Sequence, residues 1–238
     1  MMRIDILTLF PEMLASTLET SIIKRAQDAG HVEIFVHDIR DWADNKHRKV
    51  DDRPFGGGPG MVLMCQPLHD AVLAVERQSE IPARRVHFTP QGEVLKQERV
   101  EQLANEQHLL LIAGHYEGID ERVIESLEPL ELSTGDYVLS GGELPALLLV
   151  DAVVRVLPGV LGHAESADQD SFSLRDDEGN RLLDCPHYTR PRVWNEKEVP
   201  EVLLSGDHSA VDQWRMEQMK QRTQSRRPDL RDNEEVDP

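Results

Sequence analysis

The chain has 238 residues, 39% hydrophobic and 29% charged, with a formal net charge of −18 and two cysteines. That length holds a full α/β core with a smaller second unit beside it. No apolar run approaches the roughly 20 residues that span a bilayer, and Cys65 and Cys185 stand far apart, which excludes a disulfide framework and a ligand-spaced zinc cluster.

Ile4 to Phe10 reads as a buried strand rather than the apolar core of a signal peptide, so a cytoplasmic location is expected. Glu12 to about Gln27 has a helical pattern that stops at Gly30, and Val32 to His37 is a second strand. Residues 45–60 are polar, then charged, then glycine-rich, a long loop whose length points to function. A helix follows from Gln66-Pro67 to near Arg77, then a strand at Arg85 to Phe88 and a helix at Glu93 to Leu103. The unbroken apolar run within His108 to Ala113 suits a parallel strand covered on both faces. Asp120 to Ser126 is a short helix and Glu131-Leu132 a strand. Gly142-Glu143-Leu144-Pro145 opens the most apolar helix, which reaches about Val156 and needs packing nearly all round, by the sheet and a partner subunit. Pro158-Gly159 closes this unit. The expected division is a domain over 1–160, a flexible linker over 161–179, a small helical domain over 180–230 with its main helix from near His208, and a disordered acidic tail over 231–238.

Three segments follow or cross strand ends: Thr89-Pro90-Gln91-Gly92, Gly114-His115-Tyr116-Glu117-Gly118-Ile119-Asp120, and Thr134-Gly135-Asp136-Tyr137-Val138-Leu139-Ser140-Gly141-Gly142-Glu143. In an α/β sheet these positions open the ligand crevice, and glycine there lets backbone approach a ligand. Neither a GxGxxG dinucleotide fingerprint nor a GxxxxGK phosphate loop is present. A pocket built from backbone suits a cofactor gripped through adenine and ribose, and S-adenosylmethionine is such a molecule. The acidic balance opposes polyanion binding by the chain as a whole. Basic residues nevertheless gather between Lys46 and Arg53, at Arg190, Arg192 and Lys197, and between Arg215 and Arg227, where each cluster fits solvated surface charge as well as RNA contact.

Together with Pro158-Gly159-Val160-Leu161-Gly162 and His187-Tyr188-Thr189-Arg190-Pro191, these motifs in this order resemble the bacterial tRNA (guanine-N1)-methyltransferases of the SPOUT superfamily, from Ile4 to about Gln221. The resemblance implies an α/β domain with a parallel sheet and a deep trefoil knot, followed by a small, mainly helical domain that holds the tRNA anticodon stem-loop. It implies transfer of a methyl group from S-adenosylmethionine to N1 of guanosine 37, with magnesium as an activity requirement acting through the substrate. The matching cofactor residues are Thr89, Pro90, Gln91 and Gly92, then Gly114, Tyr116, Glu117 and Gly118, then Thr134, Gly135, Asp136, Tyr137, Val138, Leu139, Gly141 and Gly142.

Guanine N1 carries a proton, and negative charge develops at O6 as that proton leaves, so the reaction calls for a base and a cation. The resemblance assigns these roles to Asp170 and Arg155. It puts Arg53 and Gly58 on a substrate-side loop, and Arg190, His208, Trp214 and Arg215 against the tRNA. Trp214 stands at helical spacing from Val211 and Gln218, which fits a core position as well as base stacking. The implied assembly is an antiparallel homodimer in which the cradle of one chain works with Asp170 of the other. His115, His163 and His187 lack zinc-ligand spacing, so no protein-held metal is expected. The competing readings are another knotted-fold RNA methyltransferase and a non-catalytic RNA-binding relative. A nicotinamide enzyme lacks its phosphate fingerprint.

Overall fold

A computed structural model describes residues 1–161 and 170–230. The chain forms two compact units, Met1–Leu161 and Gly162–Pro238. Residues 162–169 of the expected linker, with His163 among them, and the acidic tail 231–238 lie outside the described residues.

In the first unit five parallel strands form one sheet in the order β2-β1-β6-β5-β7. These are β1 (Met2–Thr8), β2 (Val32–Asp38), β5 (Arg84–Val94), β6 (His108–Ile112) and β7 (Leu130–Ser133). The central strand shows why its sequence is apolar throughout. Leu109 and Leu111 join one buried cluster while Leu110 and Ile112 join the other, because alternate side chains point to opposite faces. Helices α1 (Glu12–Leu18), α2 (Ser21–Asp28), α4 (Gln97–Ala104) and α6 (Glu143–Val156) supply the first cluster. Helices α3 (Cys65–Glu76) and α5 (Glu121–Leu127) supply the second. The Asp120 carboxylate caps α5 by accepting from the Arg122 N–H, and the Arg122 guanidinium holds that carboxyl well below the usual range.

One ionised group lies inside this packing. The fully buried Asp5 carboxylate accepts from Arg3 Nε at 2.6 Å, from His37 Nε2 at 2.7 Å and from His108 Nε2 at 2.8 Å. Burial pushes its pKa up, but these three partners outweigh that cost and bring it down to about 2. His108 Nδ1 lies 3.0 Å from the Ile81 carbonyl, so both ring nitrogens of His108 face acceptors.

Four local expectations need correction. The helix expected over Glu12 to Gln27 is broken in two, with Thr20 extended and Ser21 at φ 53°. The Thr20 hydroxyl bonds back to the Ser16 and Thr17 carbonyls and ends α1 there, a local competition that helical periodicity does not reveal. The first strand stops at Thr8, whose hydroxyl accepts from the Phe10 N–H. Thr89 to Gly92 is a bulge within β5: Phe88 and Glu93 both pair with Leu132, so four residues leave the ladder between them. The strand therefore continues to Val94, and the helix expected from Glu93 begins at Gln97. The loop expected over 45–60 is interrupted by β3 (Asp51–Asp52), which pairs with β4 (Val62–Leu63) beyond it.

The second unit has a small core of Leu182, Cys185 and Met219, with Leu174 and Met216 against it. Among its described residues are the hairpin β8 (Val193–Trp194) and β9 (Lys197–Glu198), two short 3-10 turns, and α7 (His208–Arg226), capped by the Asp207 carboxylate. Residues 170–179 of the expected linker are tied into this unit. Phe172 N–H donates to the Leu182 carbonyl at 2.7 Å, and Leu182 N–H donates to the Leu174 carbonyl at 2.9 Å.

Candidate active-site cleft

A cleft of about 270 Å³ opens beside the bulge of β5 and the C-terminal ends of β6 and β7. The β5 bulge supplies Thr89, Pro90 and Gln91; the turn after β6 supplies Gly114 to Gly118; the turn after β7 supplies Thr134 and Tyr137 to Gly142. The loops are pinned to one another through backbone. Gly142 N–H donates to the Gly114 carbonyl at 2.8 Å, and His115 and Gly141 form an antiparallel bridge.

Side chains larger than hydrogen do not fit at the crossings. A Cβ on Gly142 would lie 2.7 Å from Ala113 Cα and 2.9 Å from Gly114 N, and one on Gly92 would enter the Glu131-Leu132 backbone. Glycine at these two positions is therefore a requirement of close approach between chain segments, since neither has a positive φ.

Two histidine rings line the cleft, each with a carboxylate near it. His87 sits at the foot of the cleft, where burial lowers its pKa against the opposing pull of Glu131 Oε1, 3.3 Å from Nδ1. Glu143, in the first turn of α6, is almost fully buried and accepts from the Thr8 hydroxyl at 2.8 Å. Its other oxygen is 3.8 Å from His115 Nδ1, which is buried without a hydrogen-bond partner among the described residues. Val138 and Leu139, in the irregular stretch before the Gly141-Gly142 turn, donate no backbone hydrogen bond to another described residue. The cleft thus offers unpaired backbone groups, ring faces at Tyr116 and Tyr137, and the Glu117 carboxylate.

The sequence model of the family described as "tRNA (Guanine-1)-methyltransferase TrmD" matches residues 2–233. The chain belongs to this family of enzymes. Curated tRNA (guanine-N(1)-)-methyltransferases are similar over nearly its whole length. That of Moorella thermoacetica is 54% identical over 230 residues, 96% of this chain and 90% of the relative. That of Pseudomonas fluorescens is 51% identical over 229 residues, 96% and 89% respectively. That of Pseudoalteromonas atlantica is 52% identical over 225 residues, 94% and 83%.

Within this tRNA (guanine-1)-methyltransferase family member, the fold gathers most of the expected cradle but not all of it. Gly92, Gly135 and Asp136 do not line the cleft, whereas Thr89, Pro90, Gln91, Gly114, Tyr116, Glu117, Gly118, Thr134, Tyr137, Val138, Leu139, Gly141 and Gly142 do. Gly92 serves strand crossing instead. The lining also includes His115 and Ser140, which stand inside the quoted motifs, and His87, Phe88, Ser133 and Pro145, which sequence reasoning left out of the cradle. Their signal was adjacency to the glycine motifs.

Arg155 occupies the last turn of α6 in the first unit, and Asp170 opens the described part of the second, where its carbonyl accepts from the Ser173 N–H. Arg53 and Gly58 lie on the exposed loop between β3 and β4. That loop is tethered beside the cleft by Glu117 N–H donating to the Met61 carbonyl and Leu63 N–H donating to the Gly118 carbonyl. In the second unit Arg190 and His208 are exposed, Arg215 lies 3.5 Å from Asp212, and Trp214 is half-buried with its ring 6.3 Å from Tyr188. Asp184, Cys185 and His187 bring potential ligand atoms within 4.8 Å of one another. Burial raises the Cys185 thiol pKa, and Asp184 Oδ2 already pairs with His187 Nε2 at 2.7 Å.

No helix among the described residues is long and apolar enough to cross a membrane.

Proposed function

We propose that this enzyme methylates N1 of guanosine 37 in tRNA, using S-adenosylmethionine held in the cleft of the first unit. The observation that carries the reading is the backbone-built cleft itself, assembled from three loops so closely apposed that Gly92 and Gly142 accept no Cβ. The residues present fit the cofactor. Unpaired backbone groups at Val138 and Leu139 suit an adenine edge, Tyr116, Tyr137 and Pro90 offer apolar faces, and Glu117 suits ribose hydroxyls or a positive charge. The orphaned His115 Nδ1 is a further polar group awaiting a partner. When bound, S-adenosylmethionine supplies an electrophilic methyl group on a sulfonium.

The chain's own residues handle the proton and the charge. Asp170 accepts the proton from guanine N1, and Arg155 offsets the negative charge that develops at O6. Arg53 contacts phosphate beside the cleft, while Arg190, His208, Trp214 and Arg215 hold the anticodon stem-loop. The target base leaves its stack to reach the cofactor. The knot of the family belongs to this reading and is supported by the crowded backbone crossings at Gly92 and Gly142. So does the antiparallel homodimer with shared sites. Leu144 and Leu148, one helical turn apart on α6, are 55% and 46% exposed and offer an apolar surface for a second copy. Magnesium acts through the folded RNA, and the enzyme works in the cytoplasm with its tRNA.

The test is methyl transfer from labelled S-adenosylmethionine to an unmodified tRNA with guanosines at positions 36 and 37. Replacing guanosine 37 by adenosine is expected to abolish transfer. Asp170→Ala is expected to slow it by about 10²- to 10⁴-fold with cofactor affinity retained. Equal transfer to the adenosine-37 transcript, or an unimpaired Asp170→Ala enzyme, overturns the assigned position or base.

A further inference from the structure

The hairpin β8–β9 in the second unit plays no part in the reading above. Its turn residues Asn195 and Glu196 have φ of 51° and 63°, the left-handed pair that matches a two-residue turn to the twist of its strands. Val193 pairs with Glu198 and Trp194 with Lys197. Val199 N–H donates to the Arg192 carbonyl at 3.0 Å, which carries the ladder one step further and fixes Arg192 in register.

Side chains alternate along a strand, so this register sorts them. Arg192, Trp194 and Lys197 share one face; Val193 and Glu198 share the other. Trp194 is 68% exposed, whereas Trp42 and Trp214 are each half-buried against an aromatic neighbour. The closest carboxylate to Arg192 is Glu201 at 4.0 Å, a pair with both partners exposed. Lys197 has no ion pair among the described residues. The hairpin therefore presents a solvent-facing indole flanked by two cations, with the acidic side chain Glu198 turned to the other side.

We propose that this face is a stacking platform for an unpaired nucleobase of the RNA substrate, with Arg192 and Lys197 neutralising the phosphates on either side. The proposal rests on the tRNA reading above. Every base has a π face that an exposed indole can take, and flanking cations track the backbone that carries it. An apolar protein surface is a poorer occupant, because covering Trp194 would strip water from Arg192 and Lys197 without supplying opposite charge. The surrounding charge opposes RNA less than that of the first unit: residues 170–230 hold ten Lys and Arg against twelve Asp and Glu, while residues 1–161 hold 15 against 26.

The experiment measures binding of an anticodon stem-loop RNA and steady-state methylation of full-length tRNA by the whole protein and by Trp194→Ala, Trp194→Phe and Lys197→Ala. Trp194→Ala is expected to weaken RNA binding about tenfold and to raise KM with kcat within about twofold. Trp194→Phe should restore most of the affinity, a recovery that loss of a merely structural side chain would not give. Lys197→Ala should reduce the slope of log affinity against log salt by about one. Normal methylation by the wild type with unchanged RNA affinity in Trp194→Ala overturns the platform and leaves the enzyme reading intact. Wild-type RNA binding that needs Trp194 but yields no methylation supports the platform while the enzyme reading falls. A Trp194→Ala protein that alters self-association with RNA affinity intact assigns the face to protein contact and overturns the proposal.

Discussion

The two units place their functional groups in opposite ways. The first builds its cleft from backbone crowded between two buried clusters, so its specificity depends on what cannot fit. The second has a small core of Leu182, Cys185 and Met219 among the described residues and displays Arg190, Arg192, Trp194 and His208 on the surface. In the first unit, function and stability share the same atoms. In the second, an exposed side chain can be removed at little cost to the fold.

The sharpest way to break this comparison is Gly142→Ala. Its Cβ has only backbone to displace, so the substitution should destabilise the first unit by about 3 kcal/mol and weaken S-adenosylmethionine binding with it. Urea denaturation alongside calorimetric cofactor titration measures both. A stable Gly142→Ala protein with normal cofactor affinity would separate the cleft from the fold.

A somewhat smaller effect is expected at the buried Asp5. Its pKa is depressed from 3.8 to about 2, so the folded state favours the ionised form. The resulting stabilisation, roughly 2 kcal/mol, is present above the unfolded value and is lost as pH falls from about 4 through about 2. Denaturation midpoints across that window should fall steeply for the wild type. In Asp5→Asn the same window should be flatter, with stability at pH 7 already reduced.

The smallest effect sharpens the comparison from the side of the second unit. Lys220 Nζ lies 3.3 Å from Asp177 Oδ2, with side chains 43% and 98% exposed. Such a pair contributes about 0.5 kcal/mol or less once solvent screens it. Lys220→Ala should leave the thermal midpoint nearly unchanged, and a drop of many degrees would show that this unit depends on its surface charges.

The amino-acid sequence by itself determined the α/β order of the first unit, because periodicity of two or 3.6 and unbroken apolar runs are local properties. His108 to Ile112 and the helix from Glu143 are its clearest cases. It also marked the three cleft loops, since glycine clusters at strand ends are visible without coordinates. Tertiary structure decided what those loops become. Whether Thr89 to Gly92 ends a strand or bulges from it depends on pairing with Leu132, and whether Gly92 lines the cleft or merely lets two segments cross depends on Glu131, 39 residues away. Pairing of Glu143 with Thr8 across 135 residues, and the cluster of Arg3, His37 and His108 around Asp5, are likewise invisible along the chain. The exposure of Trp194 depended on the hairpin register around Asn195-Glu196. Each of these joins side chains or backbone from distant segments, and a free-energy gain that exists only after the chain has folded back leaves no periodic trace in the residues that make it.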